Sequence, residues 1–223
     1  MQCKISVNQL ADFVYATESK KMRIVRQQKE PNQLKIAWYQ LAKARMKKAI
    51  QKNGDLSPIL DGLKELKNRK ITKQRQIQDR QVSIEAMEKF IRIKLPVILK
   101  EFDYEVLKKP KINSLVINGV EVIVAPDVIV RIKVNNQYYL GAVKIHVSKN
   151  NIFDRKQSKY ISSLIYKYLN DIVASGDELV MKELCLSIDV FGERVIKSPK
   201  NISKSIRDIE VICSEVKSFW DAA

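Results

Sequence analysis

The 223-residue chain carries 41 Lys and Arg against 25 Asp and Glu, a formal net charge of +16, with 45% hydrophobic residues and only six glycines and six prolines. That length and apolar share suffice for a buried core and argue against wholesale disorder. Three scattered cysteines, Cys3, Cys185 and Cys213, form neither a disulfide framework nor a zinc pattern, and no run reaches the roughly 18 apolar residues of a membrane helix, so the expectation is a cytoplasmic protein, or a nuclear one if the host has a nucleus, with reduced thiols and no membrane partner.

The first part of the chain reads as helices. Ser6 with Gln9 makes a capping-box signature for a helix through Ala16, with Leu10, Phe13 and Val14 as its apolar stripe. A basic segment, residues 20–29, follows. Pro31 opens a longer helix carrying Leu34, Trp38, Leu41, Met46 and Ile50, and Asn53-Gly54 ends it. Trp38, Tyr39 and Trp220 read as core or interface residues, not as a base-stacking platform. Ser57-Pro58 starts a short helix with Ile59, Leu60, Leu63 and Leu66. Another runs over residues 72–94, burying Ile77, Ile84, Met87, Phe90 and Ile91, until Pro96 interrupts it.

Beyond Lys109-Pro110 the 3.6-residue period gives way to β-branched runs. Residues 113–117 and 120–124 flank Asn118-Gly119, a strong hairpin signal. Residues 127–134 and 137–147 flank Asn135-Asn136. A helix over 154–173, a strand over 184–191, a short strand over 194–197 and a closing helix over 203–219 complete the order.

The charge is uneven. Residues 1–80 hold 19 basic and 7 acidic side chains, the remainder 22 and 18. A basic helical region (1–80) joined to a nearly balanced α/β region (81–223) points to a polyanion partner, with nucleic acid first and DNA ahead of RNA. A protein partner or a second copy of the chain stays open.

If Asn135 and Asn136 are the turn, Val134 faces Gln137 and, counting back, Asp127 faces Lys144. One face then carries Asp127, Arg131, Lys133, Ala142, Lys144 and His146. The other carries Val128, Val130, Ile132 and Val134 against Val143, Ile145 and Val147, which is a core face. Gly141 sits mid-strand, where backbone or helix can approach closely.

Pro126-Asp127, the hairpin, then Gly141-Ala142-Val143-Lys144 resembles the PD-(D/E)XK nuclease superfamily, as does the order of elements from residue 85 to 190. The resemblance implies a restriction-endonuclease-like mixed sheet flanked by helices, here with a helical N-terminal extension. It also implies hydrolysis of DNA phosphodiesters with magnesium or manganese. Asp127 would ligate the ion, which activates a water, and Lys144 would position that water. Gln157 and Tyr160 resemble a pair that RecB-like relatives carry on the following helix, though spaced i,i+3 instead of i,i+4.

One departure stands out. The second acid of the motif falls on Ala142, which cannot bind a cation. Glu121 on the preceding strand, or Glu85 or Glu88 on the helix before the sheet, would have to replace it. Otherwise the acid has been replaced by design, or the site is naturally dead. A dead site would leave a nucleic-acid-binding or scaffold subunit of a defence, repair or mobile-element complex. Lys20, Lys21, Arg23, Arg26, Arg131, Lys133 and His146 are then the expected phosphate contacts. The blander alternative is an ordinary cross-strand Asp–Lys pair worth under about 1 kcal/mol. A single histidine and the lack of glycine-rich loops give no support to a catalytic triad or a P-loop.

Overall fold

Ser6 caps the first helix as its spacing predicts, accepting the Gln9 amide at 3.4 Å. In the computed structural model, which describes residues 2–30 and 38–223, this helix is α1 (Val7–Phe13), and a strand unforeseen in the sequence, β1 (Lys4–Ser6), precedes it. Thr17 caps the basic helix α2 (Glu18–Lys29). The helix start expected at Pro31, with Leu34, lies outside the described residues; α3 (Gln40–Gln51) is entered through Tyr39 in the left-handed region at φ 62°. Next come α4 (Ser57–Asn68), α5 (Gln74–Arg92) and the short α6 (Ile98–Glu101).

The strand-rich part begins with β2 (Tyr104–Val106), also unforeseen, then β3 (Ser114–Ile117) and β4 (Val120–Ile123). The long hairpin is β5 (Val128–Val134) with β6 (Gln137–His146). Helix α7 (Arg155–Tyr168), β7 (Leu179–Asp189), β8 (Arg194–Lys197) and α8 (Ser203–Ala222) follow. Both hairpin turns put two residues at positive φ, Asn118-Gly119 and Asn135-Asn136, as the type I′ geometry of a two-residue turn demands. The register from Val134↔Gln137 to Val128↔Val143 is the one counted back from the turn.

Among the described residues the strands form two sheets. The larger runs β2-β5-β6-β7-β8 and is antiparallel except where β6 and β7 lie parallel, joined across one face by α7. The smaller runs β1-β4-β3, with β1 parallel to β4.

Apart from the turn end, where Lys133 and Tyr138 are exposed, both faces of the larger sheet are buried, including the less apolar one that carries Asp127 and Lys144. Val128, Val130, Ile132, Val143 and Ile145 pack under α3, α4 and α5 through Met46, Ile50, Ile59, Met87 and Phe90. On the other side Ile129, Leu140 and Ala142 meet α7, the small sheet, α1 and α8. Alternation of side chains still holds; a helix-covered sheet needs apolar residues on both faces. The structure therefore has mixed α/β architecture, with helices on both sides of a mixed sheet.

The described part of the first 80 residues is built into both layers. β1, α1 and α2 join the α7–α8 side, whereas α3 and α4 join the opposite side. Residue 80 itself falls inside α5. The basic helical region expected over residues 1–80 thus contributes helices to both faces of the larger sheet.

Candidate functional site

Asp127 immediately precedes β5, just after Ala125, a non-glycine residue at φ 38°, and Pro126. Its backbone N–H donates to the Val143 carbonyl at 2.8 Å, and its Oδ2 accepts the Ile145 amide at 2.8 Å. The carboxylate, 5% exposed, is thereby fixed by β6 on one oxygen. The other oxygen faces α3. Lys47 Nζ lies 2.9 Å from Oδ1 and Lys43 Nζ 3.3 Å from it. These two lysines stand one turn apart on the same helix face, with Tyr39 one turn earlier. The Lys43 and Lys47 side chains keep 33% and 31% exposure, so the pair forms the solvent-facing mouth of the site.

Lys144 lies one step beyond the paired residues, across the hairpin from Asp127. Its Nζ donates to the carbonyls of Ala125 and Val124 at 2.7 and 3.0 Å. The left-handed turn at Ala125 delivers one of those carbonyls. Lys109, on the segment between β2 and β3, completes the ring electrostatically.

Burial works against the charged form of Asp127. Lys43, Lys144, the Ile145 amide and Lys47 outweigh it and hold the carboxyl below its ordinary value. Burial also pushes Lys144 down to about 8; Asp127 opposes the fall, while Lys43, Lys109 and Lys47 add to it. Lys109 is lowered by desolvation first, then by Lys47 and Lys43, with Asp127 opposing. Four lysines share one carboxylate.

A magnesium or manganese ion does not fit this donor set. Such ions want oxygen ligands in near-octahedral array, usually from more than one carboxylate. Here the free lobe of the lone carboxylate is taken by two ammonium groups. Among the described residues no three His, Cys, Asp or Glu side chains gather to hold a metal. Ala142 is fully buried in the apolar layer beneath α7, so an acid there would sit without water. The candidate replacements engage elsewhere. Glu85 pairs with Lys149 at 2.6 Å, Glu121 accepts from Ser114 at 2.8 Å on the small sheet, and Glu88 is exposed on α5, where its charge acts on Arg92.

The remaining sequence-derived residues divide clearly. Gln157 is structural in its bonding: it closes a capping box with Asp154 and donates to the Ala11 carbonyl at 2.8 Å. Tyr160 donates to Asp208 at 2.8 Å. His146 is buried and stacks on Phe153 at 3.7 Å between ring centroids, with Nε2 donating to the Asn151 carbonyl at 2.6 Å. Burial lowers its pKa, with Lys43 adding and the Asn151 and Asp189 oxygens opposing, so it is neutral at pH 7.

Arg131 is held between Glu105 and Glu178 at 2.6 and 3.0 Å. Lys133 lies over the Tyr138 ring. Lys20 pairs with Asp12 and Lys21 with Glu215. Arg23 and Arg26 are exposed on α2, in the layer opposite the Asp127 cluster's helix α3.

Lys43, Lys47 and Lys109 went unpicked from the sequence. An i,i+4 basic pair flanking the apolar Ala42 and Met46 was the visible signal, but nothing local tells which strand end the helix will cross. No protein-family model matches the chain, and no curated protein matches it.

Proposed function

We propose that the chain is a nucleic-acid-binding protein on a restriction-endonuclease-like core, whose Asp127 site holds backbone phosphate through lysines instead of hydrolysing it with a metal. The core reading is supported by three antiparallel strands, a crossover helix and a strand parallel to the third, with Asp127 and Lys144 facing across the hairpin. One observation carries the metal-free reading: Lys43 and Lys47 stand on the carboxylate oxygen where a divalent ion would bind. With Lys109 and Lys144 they leave the cluster strongly cationic, and a phosphate diester is the anion that relieves it. A place as the binding subunit of a defence or repair assembly rests on the family resemblance of the motif alone.

The double variant Lys43→Gln/Lys47→Gln tests it by fluorescence anisotropy on a labelled DNA across a salt series. Affinity at low salt is expected to fall at least about tenfold, and the slope against log salt to shrink by about two contacts. Addition of magnesium or of a chelator leaves wild-type binding unchanged apart from ionic strength. Cleavage that needs magnesium or manganese and disappears in Asp127→Ala would overturn the proposal in favour of an active nuclease.

The titration of Lys144 adds a second measurable consequence. Below about pH 8 it is an ammonium beside Asp127, Lys43, Lys47 and Lys109; above that value it loses its charge. DNA affinity at constant ionic strength is therefore expected to fall between about pH 7 and pH 9, the window centred on that value. A flat profile over that window excludes Lys144 from the phosphate-binding charge.

A further inference from the structure

Trp38, expected in a core or interface, is 40% exposed and lines an open slot of about 400 Å³ at the N-terminal end of α3. Trp220, for which the same burial was expected, is indeed buried. The slot is bounded by three elements. Trp38 and Tyr39 come from the entry to α3, Gln78 and Gln81 from α5, and Lys149 and Asn150 from the loop after β6. The Arg75 guanidinium lies over the indole ring, 5.6 Å from its centroid, in a cation–π contact that covers part of one ring face and leaves the exposed remainder to the slot. Tyr39 is the rigid wall: its ring meets Phe191 edge-on at 5.8 Å, its hydroxyl accepts the Lys149 amide at 3.4 Å, and its own N–H donates to Asp79 at 2.9 Å.

We infer that this slot takes a single unstacked nucleobase, so that the protein binds single-stranded nucleic acid, with the base at Trp38 and the adjoining phosphate at Lys43. The inference rests on the phosphate-binding reading of the Asp127 cluster and adds the class of strand that the site accepts.

Three features carry it. The volume lies in the range of small-ligand sites and suits one base with its sugar. An exposed indole offers a π-face to any base, whereas a base inside a duplex has both of its faces covered by neighbours. The amides of Gln78 and Gln81, on successive positions of the α5 face that lines the slot, supply both donors and acceptors for a base edge. The path onward is continuous as well. Lys43 and Lys47 lie one and two turns along α3 from its N-cap Tyr39, so a strand that leaves the slot along this helix meets the two ammonium groups at the mouth of the Asp127 site.

The test uses the full chain, oligo-dT and a duplex of the same length. Because Trp220 is buried, quenching on addition of oligonucleotide reports Trp38. Oligo-dT is expected to quench the emission and the duplex to leave it nearly unchanged. Trp38→Ala should weaken oligo-dT binding about tenfold while leaving duplex binding as it was, and Trp38→Phe should restore part of the loss, because a smaller ring still stacks. Equal binding of both forms, unaffected by Trp38→Ala, overturns the base slot and leaves the phosphate-binding reading standing. Binding of neither form at low salt removes both.

Discussion

Gly141→Ala is expected to abolish the cooperative fold or to cost about 4 kcal/mol or more, a penalty beyond ordinary overpacking. Gly141 lies mid-way along β6, paired to Val130 of β5 on one side and passing β7 on the other, where the β6–β7 register shifts between Leu140 and Ala142. A Cβ built there would stand 2.2 Å from the Cβ of Leu184 and 2.9 Å from its carbonyl oxygen. Neither atom is the far end of a flexible side chain, so no rotamer change relieves the clash. The two central strands would have to part, and with them the apolar layers on both faces. Chemical denaturation followed by circular dichroism checks this. A variant with the wild-type midpoint would mean that β6 and β7 do not approach so closely.

Asp127→Ala is the second large effect, and it separates stability from binding. Stability is expected to fall by about 3 kcal/mol, because breaking a buried ion pair strands its partners. The substitution leaves the buried Ile145 amide without its acceptor and four lysines without their shared carboxylate. Asp127→Asn, which can still accept from Ile145, should lose less. DNA binding, by contrast, should persist or tighten at low salt, since the cluster gains one net positive charge. In a metal-dependent site the same change would remove the ion's ligand. The linkage sign follows from the lowered pKa of Asp127. Its contribution is complete above the ordinary value of 3.8 and is lost as pH falls through the lower folded value. The stability gap between wild type and variant therefore closes only in strong acid.

Local chemistry made much of this fold legible. Ser6 announces a helix start because its side chain can accept an amide of the first turn, as Thr17 and Asp154 also do in the structure. Asn135-Asn136 sets the β5–β6 register because a two-residue turn leaves no slack, and Asp127 opposite Lys144 followed from that alone. What escaped was non-local. β1 and β2 are three-residue strands whose identity comes from their partners, not from their own periodicity. The face bearing Ile129, Leu140 and Ala142 looked polar because Arg131 and Lys133 share it, yet those two lie towards the turn end while the apolar residues sit under α7. The lysines around Asp127 arrive on α3 and on the β2–β3 segment, and only the packing of α3 across the sheet brings two of them to one oxygen. His146 and Gln157, read as chemical groups, turned out to be engaged with backbone oxygens.

The pairing of β1 with β4 constrains how this chain can reach its native state. Lys4 lies beside Glu121, and α2 packs on α8, so the small sheet and its helical cover need segments far apart in sequence to meet. Only the β3–β4 hairpin can close early; the third strand must wait for a long loop to be drawn shut at an entropic cost. Assembly on that side is thereby slow by topology, and a partly folded chain would present the bare flank of β4 as an open edge to its neighbours.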